Sequence, residues 1–164
     1  MTGRSDSLLG RLPPGARVTI NAMLQHLLTR RFTFSACHRL SCDRLDAEDN
    51  ALTYGPCTTM HGHNYRLEVT VTGPVDPQIG FACNVIALER LVHSLIIAPC
   101  DHNCLNDVPL LAGIPPTMEN IASRIWTALE DELPALGVEL VEILVAETDD
   151  NVVRLRRRPH HGDT

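Results

Sequence analysis

Polar and apolar residues alternate most strictly over 65–72, where Tyr65, Leu67, Val69 and Val71 interleave with Arg66, Glu68, Thr70 and Thr72. A period of two sends successive side chains to opposite faces, so this stretch predicts a strand with one buried side. Phe32, Phe34 and Ala36 interleave with Thr33 and Ser35 in the same way and predict an earlier strand over 28–37. Gly73-Pro74-Val75-Asp76-Pro77 has the chemistry of a turn. Beyond it the period changes. Leu88, Leu91, Val92, Leu95 and Ile96 recur at helical spacing and predict a helix over about 85–97. Ile121, Ile125 and Leu129, with Trp126 beside them, predict a second helix over 118–132, with Thr117 as its N-cap. Residues 138–147 and 151–157 predict two further strands, joined as a hairpin at the Asp149-Asp150-Asn151 corner. The polar, acidic stretch 40–56 predicts a loop, residues 1–24 a flexible extension broken at Pro13-Pro14-Gly15, and residues 158–164 a polar tail. Residues 25–157 are thus expected to form one α+β domain, an antiparallel four-stranded sheet with two helices on one face.

Composition narrows the function. A chain of 164 residues is long enough for one real core, and 44% hydrophobic with 21% charged residues is ordinary for a globular protein. A net charge of −6 and the lack of a basic stripe count against a nucleic-acid surface. Arg154, Arg156, Arg157 and Arg158 read as a solvated cluster. All 14 basic residues are arginine, which excludes a Schiff-base lysine. The longest apolar runs are too short to span a membrane, and residues 1–20 carry no apolar secretion core. The six cysteines (Cys37, Cys42, Cys57, Cys83, Cys100 and Cys104) are therefore expected as reduced thiols in the cytoplasm.

The densest chemistry lies in Cys57-Thr58-Thr59-Met60-His61-Gly62-His63. In extended backbone, His61 and His63 point to one face, which begins a metal site. The nearby thiol of Cys57 is either a further ligand or a nucleophile or base. Catalytic zinc takes three protein ligands and keeps a fourth position open, and His38, at the end of the first strand, is the natural third. His26 and His93 sit in or near apolar periodic segments and read as structural or exposed, and His160 and His161 belong to the polar tail. Cys100 and Cys104 have no second cysteine pair at knuckle spacing, so a structural zinc site there is rejected.

Three further features carry acid–base or binding chemistry. Asp101-His102 follows the first predicted helix and can form a carboxylate–imidazole relay. Glu147 ends the apolar run Ile143-Leu144-Val145-Ala146, where a carboxylate can accept a fork of N–H donors from a heterocycle. Thr117 and Glu119 begin the second helix, with Glu119 favourable to its dipole.

In order along the chain, Phe34-Ser35-Ala36-Cys37-His38-Arg39-Leu40, Cys57 with His61-Gly62-His63-Asn64-Tyr65, Asp101-His102-Asn103-Cys104-Leu105-Asn106, Pro116-Thr117-Met118-Glu119-Asn120 and Glu147-Thr148 resemble the 6-pyruvoyl- and 6-carboxy-tetrahydropterin synthase family. The match spans about residues 30–157. The resemblance implies a tunnelling fold (T-fold) whose subunits close into trimeric barrels that pair as homohexamers. It implies zinc held by His38, His61 and His63, and catalysis by Cys57 with Asp101 and His102 reaching the site from a neighbouring subunit. It implies that Glu147 anchors the pterin ring, with Thr117 and Glu119 contributing to the pocket. The implied substrate is 7,8-dihydroneopterin triphosphate, which loses triphosphate.

The markers of the two branches diverge. The compact Cys57-x3-His61 spacing resembles 6-carboxy synthases, which serve 7-deazapurine (queuosine) synthesis. The long 41–56 segment, Asn84 and Glu147-Thr148-Asp149-Asp150-Asn151 resemble the 6-pyruvoyl enzymes of tetrahydrobiopterin synthesis. A third branch has Glu in place of the cysteine, and Cys57 argues against it. The competing readings are a zinc-dependent hydrolase on a related pterin or purine, and a pterin-binding module without turnover.

Overall fold

The computed structural model describes residues 24–158, and the expected extension and tail lie outside them except for Leu24 and Arg158. Two long strands form its centre: β1 (Leu27–His38) and β2 (His61–Thr72). They pair antiparallel along their whole length, from Leu27 opposite Thr72 to His38 opposite His61. The alternation that predicted β2 is met in full, since Tyr65, Leu67, Val69 and Val71 are all completely buried. At about 1.5–3 kcal/mol for each fully buried large aliphatic side chain, this face alone fixes the strand's register. The strand also begins earlier than its clearest alternation, so that His61 and His63 belong to the ladder itself.

Among the described residues the sheet has five strands, not four. β3 (Asn103–Cys104) pairs with β1, and it does so in parallel, so the sheet is not wholly antiparallel. Two residues are too few to show a period of two, which is why the sequence pattern carries no sign of it. β4 (Glu139–Ala146) and β5 (Val152–Arg156) follow the predicted hairpin, and the order across the sheet is β3-β1-β2-β4-β5.

The stretch expected to be a loop contains a helix, α1 (Ala47–Tyr54), followed by a 3-10 turn at Gly55–Thr58. α1 buries none of its residues, so it has no apolar stripe to announce it. Its signal lies at the N-terminus, where the Asp46 carboxylate accepts from the Asp49 N–H at 2.9 Å, with Glu48 and Asp49 in the first turn. α2 (Val85–Val92) begins at Asn84, whose side chain caps Ile86 and Ala87. It runs on through a π turn (His93–Ile97) into a last α turn (Ala98–Cys100), slightly past the expected end. α3 (Met118–Glu130) is capped by Thr117 as expected and buries Met118, Ile121, Ala122, Ile125 and Leu129. The buried faces of α2 and α3 join those of β1, β2 and β4 in one core, and the opposite face carries Arg31, Glu68, Glu142, Arg154 and Arg156 around a buried Leu144. Among the described residues, no helix is long and apolar enough to cross a membrane.

Candidate metal centre

His38 and His61 are direct partners at the end of the β1–β2 ladder, and Ala36 faces His63 one step further in. The register therefore puts three imidazoles on the core face of the sheet, at one end. Ring centroids lie 4.5 Å apart for His38–His61, 5.1 Å for His61–His63 and 5.4 Å for His38–His63. One ring nitrogen from each falls within 4.8 Å of the other two. Gly62 allows this spacing: a Cβ on Gly62 would stand 3.2 Å from the carbonyl oxygen of Ala36, against the β1 backbone.

The unused nitrogens are fixed from behind. His38 Nδ1 donates to the Pro116 carbonyl at 3.0 Å, and His61 Nδ1 to the Thr59 carbonyl at 2.8 Å. A carbonyl can only accept, so each contact holds the proton on Nδ1 and leaves Nε2 with its lone pair. Among the described residues, the Nε2 atoms of His38 and His63 are buried with no partner. Burial pushes the His38 imidazole below its ordinary value; the Pro116 contact offsets this in part, and His61 and His63 add to the lowering. Converging imidazole nitrogens, two of them buried without a partner among the described residues, fit zinc, and three protein donors leave a position for substrate.

Glu147, just past the end of β4, stands with Oε2 3.9 Å from His63 Nε2. Its other oxygen accepts from the Asn151 side-chain amide at 2.5 Å, and its backbone N–H donates to the Asn151 carbonyl. Asn151 is thus a supporting residue that the sequence showed only as part of a turn and of the Glu147–Asn151 branch marker, with no sign of this contact. Tyr65, fully buried beside His63, has a hydroxyl without a partner among the described residues, and burial and then Glu147 push that phenol upward, so it stays protonated.

Cys57 lies in the 3-10 turn, half-buried and outside the three-histidine group. Its carbonyl accepts from Leu40 N–H at 2.8 Å, which ties the turn to the chain just beyond His38. Thr117 directly follows Pro116, whose carbonyl holds His38, but its hydroxyl caps α3, and Glu119 is exposed in the first turn. Asp101 and His102 do touch one another, with Nδ1 and Oδ2 3.0 Å apart. The Ser35 N–H donates to Asp101 Oδ1 at 2.8 Å and is the main reason the carboxyl sits below its usual range. His102 is left-handed at φ +57, and its N–H donates to the Ser35 carbonyl. The pair stands at the β3 edge, and His102 borders an open cavity of about 460 Å³ with Ser35, Cys37, His63, Asn64 and Cys104. Cys100 is buried, which pushes its thiol up to about 11, so it is inert rather than ligating.

The model for 6-pyruvoyl tetrahydropterin synthase matches residues 27–158. The chain is 43% identical over 132 residues to the 6-pyruvoyl tetrahydrobiopterin synthase of Poecilia reticulata, covering 79% of this chain and 88% of that one. It is 33% identical over 101 residues to a proposed 6-carboxy-5,6,7,8-tetrahydropterin synthase of Archaeoglobus fulgidus, covering 62% and 79%. Its fold is similar to that of the Caenorhabditis elegans 6-pyruvoyl tetrahydropterin synthase, with a TM-score of 0.74 at 30% identity, covering 83% of this chain and 98% of the other. Sequence, fold and the stretch from β1 to β5 agree: the chain belongs to the 6-pyruvoyl tetrahydropterin synthase family.

Proposed function

We propose that this protein is a zinc-dependent pterin synthase that converts 7,8-dihydroneopterin triphosphate to 6-pyruvoyl-tetrahydropterin with release of triphosphate. The observation that carries the reading is the convergence of His38, His61 and His63, with Glu147 beside His63. The higher identity to 6-pyruvoyl than to 6-carboxy relatives supports the 6-pyruvoyl product. The compact Cys57-to-His61 spacing favours the 6-carboxy product and makes it the second reading.

Zinc bound by the three histidines would polarise side-chain oxygens of the substrate and acidify the neighbouring C–H. Glu147, held by Asn151, accepts hydrogen bonds from the pterin amino group and a ring N–H, and so fixes the ring. Cys57, as thiolate, takes the carbon-bound proton beside the ring. Asp101 orients His102, and the imidazole returns protons on the other side. The ring gains hydrogen as the side chain is oxidised, so no external oxidant is consumed. Thr117 and Glu119 border the pocket beside the segment that holds His38. His102 is 82% exposed in the single chain, which supports a site completed by a neighbouring copy, in trimers paired as a homohexamer.

The test is to incubate the zinc-loaded protein with 7,8-dihydroneopterin triphosphate and identify the product by mass spectrometry. A pterin keeping all three side-chain carbons is expected. Acetaldehyde with a shortened side chain would assign the 6-carboxy product, and no triphosphate release would overturn the reading. Cys57→Ala should lower turnover by about 10²–10⁴-fold, the usual range for a general base, with zinc content unchanged.

A further inference from the structure

Cys37 and Cys104 take no part in the chemistry proposed above, yet the fold sets them side by side. They are register partners in the parallel pairing of β3 with β1. Partners in such a ladder point to the same face, with Cα atoms about 4.8 Å apart, inside the span of about 4.4–6.8 Å that a disulfide bridges. Cys37 lies between Ala36 and His38, whose side chains are buried on the helix side, so its thiol emerges on the opposite, polar face. Both thiols are half-buried, both border the open cavity at that edge, and the Cys37 thiol is a direct neighbour of the Cys104 thiol. Cys83 and Cys100, by contrast, are buried in the core.

The position of the pair gives it a consequence. β3 is two residues long and follows Asp101 and His102 without a break. Its hold on β1 includes His102 N–H to the Ser35 carbonyl and Leu105 N–H to the Cys37 carbonyl. A covalent bond from Cys104 to Cys37 would act directly on this short segment.

We propose that Cys37 and Cys104 form a reversible disulfide, made by exchange with a low-molecular-weight disulfide such as oxidised glutathione, that clamps β3 to β1 and shifts the setting of Asp101 and His102. One of the two cysteines, as thiolate, attacks a sulfur of oxidised glutathione, breaking its S–S bond and releasing one glutathione thiolate. The other, as thiolate, then attacks the mixed disulfide, forms the Cys37–Cys104 bond and releases the second glutathione. The protein loses two electrons and two protons, and one glutathione disulfide becomes two thiols. Disulfide sulfurs bring their Cβ atoms to about 3.8 Å, closer than parallel strand partners usually stand, so β3 must move toward β1. A displacement of about 1 Å at a catalytic group costs on the order of 10²-fold in rate. Only this effect on turnover rests on the proposed function; the bond itself does not.

The test equilibrates the full-length protein in glutathione buffers from reduced to oxidised, blocks free thiols with iodoacetamide and maps peptides without reduction. The expected result is a linked peptide pair carrying Cys37 and Cys104, lighter by two hydrogen atoms and separated by dithiothreitol. In the same samples, triphosphate release should fall at least 10-fold as the linked pair accumulates, by the displacement argument above. Cys37→Ser and Cys104→Ser should each keep the turnover of the reduced protein and lose its dependence on the glutathione ratio. Full alkylation of both thiols in oxidised buffer, or linkage of either to another cysteine instead, would overturn the proposal. A preparation with no pterin synthase activity would still give the peptide map, so failure of the function and failure of the disulfide are read separately.

Discussion

His38 Nδ1 donates to the carbonyl oxygen of Pro116 at 3.0 Å, so a strand end and a helix start are joined through one imidazole. Pro116 immediately precedes the cap of α3, and the contact fixes both the ring and its tautomer. Removing the ring should therefore cost metal and stability together. His38→Ala is expected to purify without stoichiometric zinc by plasma mass spectrometry. The wild-type apoprotein should gain about 4 kcal/mol when zinc is supplied at roughly 1,000 times its dissociation constant, the size expected of a ligand that binds only the folded state. The variant should gain little, as read by urea denaturation with and without zinc.

Gly62 separates the two histidines because β1 leaves no room for a side chain there. In Gly62→Ala the new methyl meets the Ala36 carbonyl oxygen at 3.2 Å, so the backbone of one strand must shift. Overpacking of this kind costs about 1–3 kcal/mol. Chemical denaturation should show a loss in that range, and zinc affinity should fall with it, because His61 and His63 ride on the displaced backbone.

The part of this architecture that repeats was legible in the sequence, and the part that rests on single contacts was not. The alternation from Tyr65 to Val71 and the helical rows of α2 and α3 are set by burial, which the hydrophobic pattern reports directly. The three-histidine cluster was legible because His-x-His on a strand has one geometric meaning. β3 was not, since two residues held by a parallel register carry no pattern. α1 was hidden for a different reason: a helix that buries nothing shows only its cap at Asp46. Pro116 and Ser35 act through backbone atoms on residues distant in sequence, so their side-chain identity announces neither, and Asn151 reaches Glu147 through its side-chain amide only once the β4–β5 turn has formed.

His102 holds a left-handed backbone at φ +57, a conformation most residues avoid but asparagine tolerates. His102→Asn should therefore keep the turn and remove the imidazole. Stability should stay within about 1 kcal/mol of wild type, whereas triphosphate release should drop by about 10²–10⁴-fold for loss of a general acid. A β-branched replacement such as His102→Val adds backbone strain of about 1–3 kcal/mol, so its melting temperature should fall as well. Comparing the two variants separates the chemistry from the fold.

Asn151 holds the Glu147 carboxylate through its side-chain amide, and Asn151 N–H in turn donates to Thr148 Oγ1. Hydrogen bonds to a charged group contribute about 1.5–3 kcal/mol. If Glu147 anchors the ring, Asn151→Ala should raise KM by roughly 10–100-fold and leave zinc content intact. Glu147→Gln should weaken pterin binding in the same direction, and more, because the amide cannot accept a full fork of N–H donors. Titration with a non-reacting pterin, followed by fluorescence, reads both.

Asp101 gives the acid limb of stability a specific origin. The Ser35 N–H donates to its carboxylate and, with His102, holds the folded pKa below the ordinary value of 3.8. The folded state therefore binds this proton less readily than the unfolded chain. The resulting stability is fully present above pH 3.8 and is lost as pH falls through the lower folded value. Asp101→Asn has no proton to take up at this site. The difference in unfolding free energy between wild type and Asp101→Asn should be constant from neutral pH down to about 4 and shrink below it. Urea titrations across that range would show it, and a difference that grew on acidification would contradict the Ser35 contact as the cause.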